Sequence, residues 1–62
     1  MDDGEVFKKV EELLKDVRIE NESFYLSIAF FAKREIFNSI KAKLKEIETL
    51  LGEVLRKENE KL

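Results

Sequence analysis

The feature that most constrains this chain is one apolar segment in a sequence that is otherwise rich in charge. Residues 23–33, SFYLSIAFFAK, hold three of the five Phe and no charge before Lys33, whereas 42% of the 62 residues are charged. Read as a helix, the segment is apolar on nearly every side, because only Ser27 leaves a polar gap. A helix that is apolar all round is buried all round. The sequence therefore predicts that this segment packs against several neighbours at the centre of an oligomer.

The length of the chain gives a second reason to expect assembly. A single domain of about 60 residues buries only about 60% of the surface that its unfolded chain exposes, and small domains usually add disulfides, a metal or further subunits. The sequence has no Cys and no His, which excludes disulfides and ordinary zinc sites, and we predict no metal and no cofactor. Oligomerisation is therefore the remaining way for this chain to bury more apolar surface. We expect a homo-oligomer, with a different protein as the alternative partner.

The first part of the chain has the pattern of an amphipathic helix of about 14 residues. Four apolar residues recur at spacings of four, three and four, and two more widen the stripe: Val6, Val10, Leu13 and Val17, with Phe7 and Leu14 beside them. Charged residues fill the other side. Asp2 or Asp3 is placed to cap the start of this helix, with Glu5 three positions after Asp2. These signals predict a short helix over residues 4–18.

The polar run RIENES, residues 18–23, interrupts this pattern. Asn21 and Ser23 are both good N-caps for a following helix. We therefore expect the chain to reverse direction within this run.

A longer apolar stripe follows. Six residues keep a strict alternation of three and four, which defines a heptad seam: Phe37, Ile40, Leu44, Ile47, Leu51 and Val54. Further apolar residues widen the stripe to about three positions in seven, which is typical of a helix in a bundle. One helix over residues 23–59 is predicted. The alternative is a break at Asn38 and Ser39, which would give a three-helix bundle. Gly52 marks either a close crossing or the start of fraying.

The two predicted helices differ greatly in length. At 1.5 Å per residue the first is about 21 Å long and the second about 57 Å, so the first cannot cover the second. We expect an all-α helical hairpin in one domain that assembles as an oligomeric bundle, with a dimeric four-helix bundle as the principal model. The predicted oligomer interface has ten residues: Phe24, Ile28, Phe30, Phe31, Phe37, Ile40, Leu44, Ile47, Leu51 and Val54.

Charge is distributed unevenly along the chain. Residues 1–22 have a net charge of −4 and residues 23–62 a net charge of +2. Three basic residues share one helical face and define a candidate nucleic-acid-binding face: Arg34, Lys41 and Lys45. The net charge of the chain is only −2, which gives no general reason to expect nucleic acid. A small nucleic-acid-binding regulator is therefore the alternative to the main prediction.

The sequence carries no catalytic signature. Without His or Cys, acid–base chemistry would need carboxylates, Lys or Tyr25, and the carboxylates lie at positions expected to be solvated. We predict no catalytic residues. The function expected is that of a non-enzymatic protein–protein interaction module: an adaptor, a regulator or an assembly subunit.

The expected compartment is the cytoplasm. The acidic start of the chain does not resemble a secretory signal, and the apolar segment is too short to span a membrane, so we expect no membrane partner. Lys and Glu are abundant while Gln, His, Cys, Trp and Pro are absent, a bias typical of proteins from hot environments.

Overall fold

The protein folds as a hairpin of two α-helices. In the computed structural model, which describes residues 2–60, α1 spans Asp3–Leu26 and α2 spans Phe30–Glu60. No strand occurs within the described range. The molecule measures 50 × 16 × 14 Å, which is close to the length of α2 and the width of two helices side by side. The all-α helical hairpin predicted from the sequence is confirmed.

The turn, however, lies further along the chain than the sequence pattern indicated. α1 has 24 residues rather than about 14, and it runs straight through the polar run RIENES. The predicted caps, Asn21 and Ser23, lie inside α1 and are exposed. The reason is that Val17, Glu20 and Phe24 continue the spacing of three and four residues that begins at Val6. Because Glu20 is charged, the sequence does not show that the helical stripe extends past Val17. The predicted start of the second helix at residue 23 is therefore wrong, and α2 begins at Phe30.

The apolar segment forms the tip of the hairpin. The Ser27 N–H donates to the carbonyls of Ser23 at 3.0 Å and Phe24 at 3.3 Å, and its own backbone is extended, which ends α1. Three residues later α2 begins, and the Lys33 N–H donates to the Ala29 carbonyl at 3.1 Å. The expectation of one continuous helix surrounded on all sides is thus wrong, because the segment contains a helix end, a turn and a helix start.

The apolar core lies between the helices, toward their open end. It consists of Val6, Val10 and Leu13 of α1 and Ile47 of α2, with Leu50 and Val54 packed against them. At about 36 Å, the observed α1 is long enough to reach these residues. The prediction that the first helix cannot cover the second half of α2 is therefore wrong. Ile47 is already buried within the single chain, with 9% of its surface exposed.

α1 begins with the side-chain cap that the sequence predicted. The carboxylate of Asp2 accepts a hydrogen bond from the Glu5 N–H at 2.9 Å, and Asp2 has the extended backbone of an N-cap residue. Asp3 and Glu5 follow in the first turn, where negative charge is stabilised by the helix dipole.

α2 is continuous through Asn38 and Ser39, so the alternative of a third helix does not occur. Gly52 also lies inside α2, eight residues before its end, and causes neither a close crossing nor a helix end. A Cβ atom placed on Gly52 would meet no described atom within 4 Å.

Replacing Gly52 with Ala is expected to stabilise the protein by about 1 kcal/mol, because Ala restricts the unfolded chain and fits the helix without contact. Urea denaturation followed by circular dichroism measures this change. Gly4→Ala is the matched control, since its Cβ would lie 3.3 Å from the capping oxygen of Asp2 and should gain less. Destabilisation by Gly52→Ala would contradict the open position described here.

Candidate interaction surface

Residues that are seven apart in sequence project from a helix along one line, parallel to its axis. α2 has three such lines that carry apolar residues, and the hairpin buries two of them. α1 covers the line through Ile40, Ile47 and Val54 and the line through Ile36, Lys43 and Leu50, all of which are buried or half-buried. The third line remains outside the hairpin. Its apolar members are Phe30 at the tip, 77% exposed, and Phe37, Leu44 and Leu51, with 54%, 48% and 46% of their surfaces exposed.

α1 carries a matching pair of exposed apolar residues, Phe7 and Leu14. They are also seven apart and adjoin the line of Val10 and Val17, whose side chains are buried and half-buried. In an antiparallel helix pair, the lines that adjoin the seam on one side of the two helices face each other. Measured from the turn, Leu14 lies at about the level of Leu44, and Phe7 at about the level of Leu51. These five residues form one surface, which we call the apolar face: Phe7, Leu14, Phe37, Leu44 and Leu51.

The opposite side of the hairpin is polar. The lines that adjoin the seam there carry Asp16 and Ser23 on α1 and Glu46 and Glu53 on α2, all exposed. Apart from the tip and from Ile19 and Leu55, the large exposed apolar residues therefore lie on one side of a narrow molecule. This asymmetry makes the apolar face the candidate interaction surface.

The tip of the hairpin is a second exposed apolar region. It consists of five side chains with 68–97% of their surfaces exposed: Tyr25, Leu26, Ile28, Phe30 and Phe31. They project in several directions because they stand on two helix ends and the turn between them. The tip is therefore a rounded apolar end, which adjoins the apolar face where Phe30 and Phe37 line one groove.

Lys33 of α2 binds the carbonyl end of α1 at the tip. Its Nζ donates a hydrogen bond of 2.9 Å to the Phe24 carbonyl and lies 4.7 Å from the centre of the Phe24 ring. α1 has no basic residue in its own last turn, so the ammonium group of α2 supplies the positive charge that the carbonyl end of α1 favours. The cation also gains from the face of the aromatic ring.

A polar cluster joins the two helices between the tip and the apolar core. Glu20 Oε2 accepts a hydrogen bond of 2.5 Å from the Ser39 hydroxyl, and Glu20 Oε1 lies 2.9 Å from Lys43 Nζ. Lys43 Nζ also donates to Ser39 Oγ at 3.3 Å. The Ser39 hydrogen bond, followed by that of Lys43, lowers the pKa of Glu20 below its ordinary value of 4.5. A polar group in a helix seam fixes how the two helices align, because any slip leaves it unpaired.

The cluster should make stability depend on pH in the acid range. Because the pKa of Glu20 is lowered in the folded state, the charged carboxylate stabilises the fold fully above pH 4.5, and this contribution is lost as the pH falls through the folded-state pKa. The free energy of unfolding of Glu20→Gln should therefore approach that of the wild type below pH 4.5. Ser39→Ala should show a weaker effect of the same sign. Parallel pH profiles for wild type and Glu20→Gln would contradict this assignment.

The structure places the ten residues of the predicted interface in three groups. Phe37, Leu44 and Leu51 lie on the apolar face, and Ile28, Phe30 and Phe31 lie at the tip. The remaining four are half-buried or buried within the hairpin: Phe24, Ile40, Ile47 and Val54. The ten residues therefore do not form one continuous surface. The list also omits Phe7 and Leu14, although their position beside the stripe of the first helix was the signal that could have identified them.

The candidate nucleic-acid-binding face is exposed. Arg34, Lys41 and Lys45 project from α2 beside the apolar face and extend over about 16 Å of helix. Glu48 lies one heptad after Lys41 and three residues after Lys45, so an acidic side chain follows the basic ones directly.

Comparison with known protein families, with curated proteins and with solved structures finds no match for this chain. Within residues 2–60, neither helix is apolar enough over a sufficient length to cross a membrane. In the same range, no group of three His, Cys, Asp or Glu side chains could hold a metal ion. The surface is therefore interpreted from its geometry and chemistry.

Proposed function

We propose that this protein is a non-enzymatic interaction module that binds a second copy of itself through the apolar face. The observation that carries the proposal is the alignment of five large apolar side chains on one side of the hairpin, each 46–65% exposed. An extended apolar strip on a small water-soluble chain is usually a binding surface.

The small size of the core supports the same proposal. Among residues 2–60 four apolar residues are buried, and each of them keeps 3–9% of its surface exposed. Two helices alone bury little apolar surface between them, whereas four helices enclose a common apolar core. Two apolar faces in contact would convert the exposed lines of both hairpins into the centre of a four-helix bundle.

The polar opposite side favours a closed dimer over a longer assembly. Once the apolar faces are in contact, the surfaces that remain on the outer sides carry Asp16, Glu46 and Glu53. A two-fold pair uses the same patch on both subunits and leaves no free copy of it. In this proposal the dimer acts as an adaptor, a regulator or an assembly subunit of the cytoplasm.

The proposal predicts that the wild-type protein has twice its chain mass of 7.3 kDa in solution. Leu44→Lys should weaken dimerisation at least tenfold, because it places two ammonium groups in an apolar interface. Light scattering over a concentration series measures the mass, and circular dichroism on the same samples measures helix content.

Phe31→Lys is the matched control for this experiment. Phe31 is 68% exposed, more than Leu44, but it lies at the tip and not on the apolar face. The control should dimerise as the wild type does. A wild type that stays monomeric at millimolar concentration, or equal weakening by both substitutions, would overturn the proposal.

A further inference from the structure

Charged residues follow the outer edges of the apolar face in a repeated order. On α1 the edge carries Glu11 and Arg18, which are seven apart, and on α2 it carries Glu48 and Lys41, also seven apart, with Arg34 one heptad nearer the tip. All five are exposed. Each lies one line further from the seam than the apolar residues of the face. Along both helices the acid is therefore nearer the open end of the hairpin and the base is nearer the tip.

This order distinguishes the two ways in which a second copy could pack on the face. If both tips point the same way, a two-fold axis along the bundle sets α1 against α2 of the other copy. Glu11 then meets the other copy's Glu48, and Arg18 meets its Lys41, so like charges face each other on both edges. If one copy is reversed end for end, each helix lies against its own counterpart. Acid then meets base on both edges.

The charges also select a register for the reversed arrangement. The point midway between Glu11 and Arg18 on α1 is next to Leu14, and the point midway between Lys41 and Glu48 on α2 is next to Leu44. These two leucines lie at about the same distance from the turn, so the two helices independently indicate one level for the axis. Exposed ion pairs contribute little affinity each, but like-charge contacts oppose the wrong alignment.

We propose that two hairpins dock antiparallel on a two-fold axis at the level of Leu14 and Leu44, with Phe37 of each copy against Leu51 of the other. This inference rests on the proposed function and adds the orientation and register of the partner. It places the two exposed tips at opposite ends of the bundle, about 40 Å apart. The dimer thus presents the same apolar end twice, in opposite directions.

Disulfide trapping tests the register, because the chain has no cysteine of its own. Leu44→Cys lies at the axis and should form a cross-linked dimer under mild oxidation. Leu51→Cys lies on the same line with similar exposure, but its counterpart would be about 21 Å away, beyond the reach of a disulfide. It should cross-link at least tenfold more slowly when alone. An equal mixture of Leu51→Cys and Phe37→Cys chains should form the mixed disulfide.

Charge reversal tests the orientation without a cysteine. In the antiparallel dimer, Glu48→Lys faces the other copy's Lys41 twice and should weaken dimerisation about tenfold at low salt. The double substitution Lys41→Glu with Glu48→Lys exchanges the two charges and should restore affinity to within about threefold of the wild type. In the arrangement with both tips together, Glu48→Lys would face Glu11 and would strengthen the dimer.

The outcomes separate this inference from the proposed function. A monomer in light scattering, with no cross-linking in any variant, overturns both. A stable dimer in which Leu44→Cys cross-links no faster than Leu51→Cys, or which Glu48→Lys strengthens, overturns the antiparallel register and leaves self-association standing. Fast cross-linking at position 44 alone, with rescue by the charge exchange, supports the register.

Discussion

The structure depends on one geometric limit: a single neighbouring helix covers only about two of the seven lines along another helix. α2 carries three lines rich in apolar residues, and α1 buries two of them by packing Val6, Val10 and Leu13 against Ile47. The third line is as apolar as the others, but it stays exposed to water because α1 is not wide enough to cover it. The same limit acts on α1, where Phe7 and Leu14 remain outside. The apolar face is therefore a direct consequence of how the hairpin closes.

Two kinds of interaction hold the hairpin along its length. The open end is held by apolar packing, whereas the half nearer the turn is held by hydrogen bonds between the helices. Glu20 pairs with Ser39 and Lys43, and Lys33 binds the carbonyl end of α1. Polar contacts of this kind contribute modest stability but strong preference for one alignment. That alignment brings Leu14 level with Leu44 and so brings the exposed lines of both helices into one surface.

The proposed dimer follows from this one-sided surface, and its proposed orientation follows from the charges beside it. Apolar area supplies most of the free energy of such an interface, while the flanking charges discriminate between arrangements. The tip has a different character, since its apolar side chains project in several directions around a turn. In the antiparallel arrangement it stays clear of the two-fold axis and forms both ends of the assembly.

The amino-acid sequence by itself determined the helical character, the hairpin and an aspartate cap, at Asp2 or Asp3, on the first helix. Apolar spacing, polar faces and capping residues are local signals that need no knowledge of the partner helix. The heptad phase across Asn38 and Ser39 likewise predicted a continuous α2 in the second half of the chain, as observed. The stripe of the second helix also supplied Phe37, Leu44 and Leu51, the α2 half of the apolar face.

Only the tertiary structure decided where the chain turns and which apolar lines are buried. Glu20 reads as a polar interruption in the sequence, and its partners Ser39 and Lys43 lie about twenty residues away, so the continuation of α1 was hidden. The seam through Phe37 and Leu44 and the seam through Ile36 and Lys43 both include Ile40 and Ile47. The second seam is the one that α1 covers, and within it Lys43 pairs with Glu20, a contact that exists only once the two helices lie side by side.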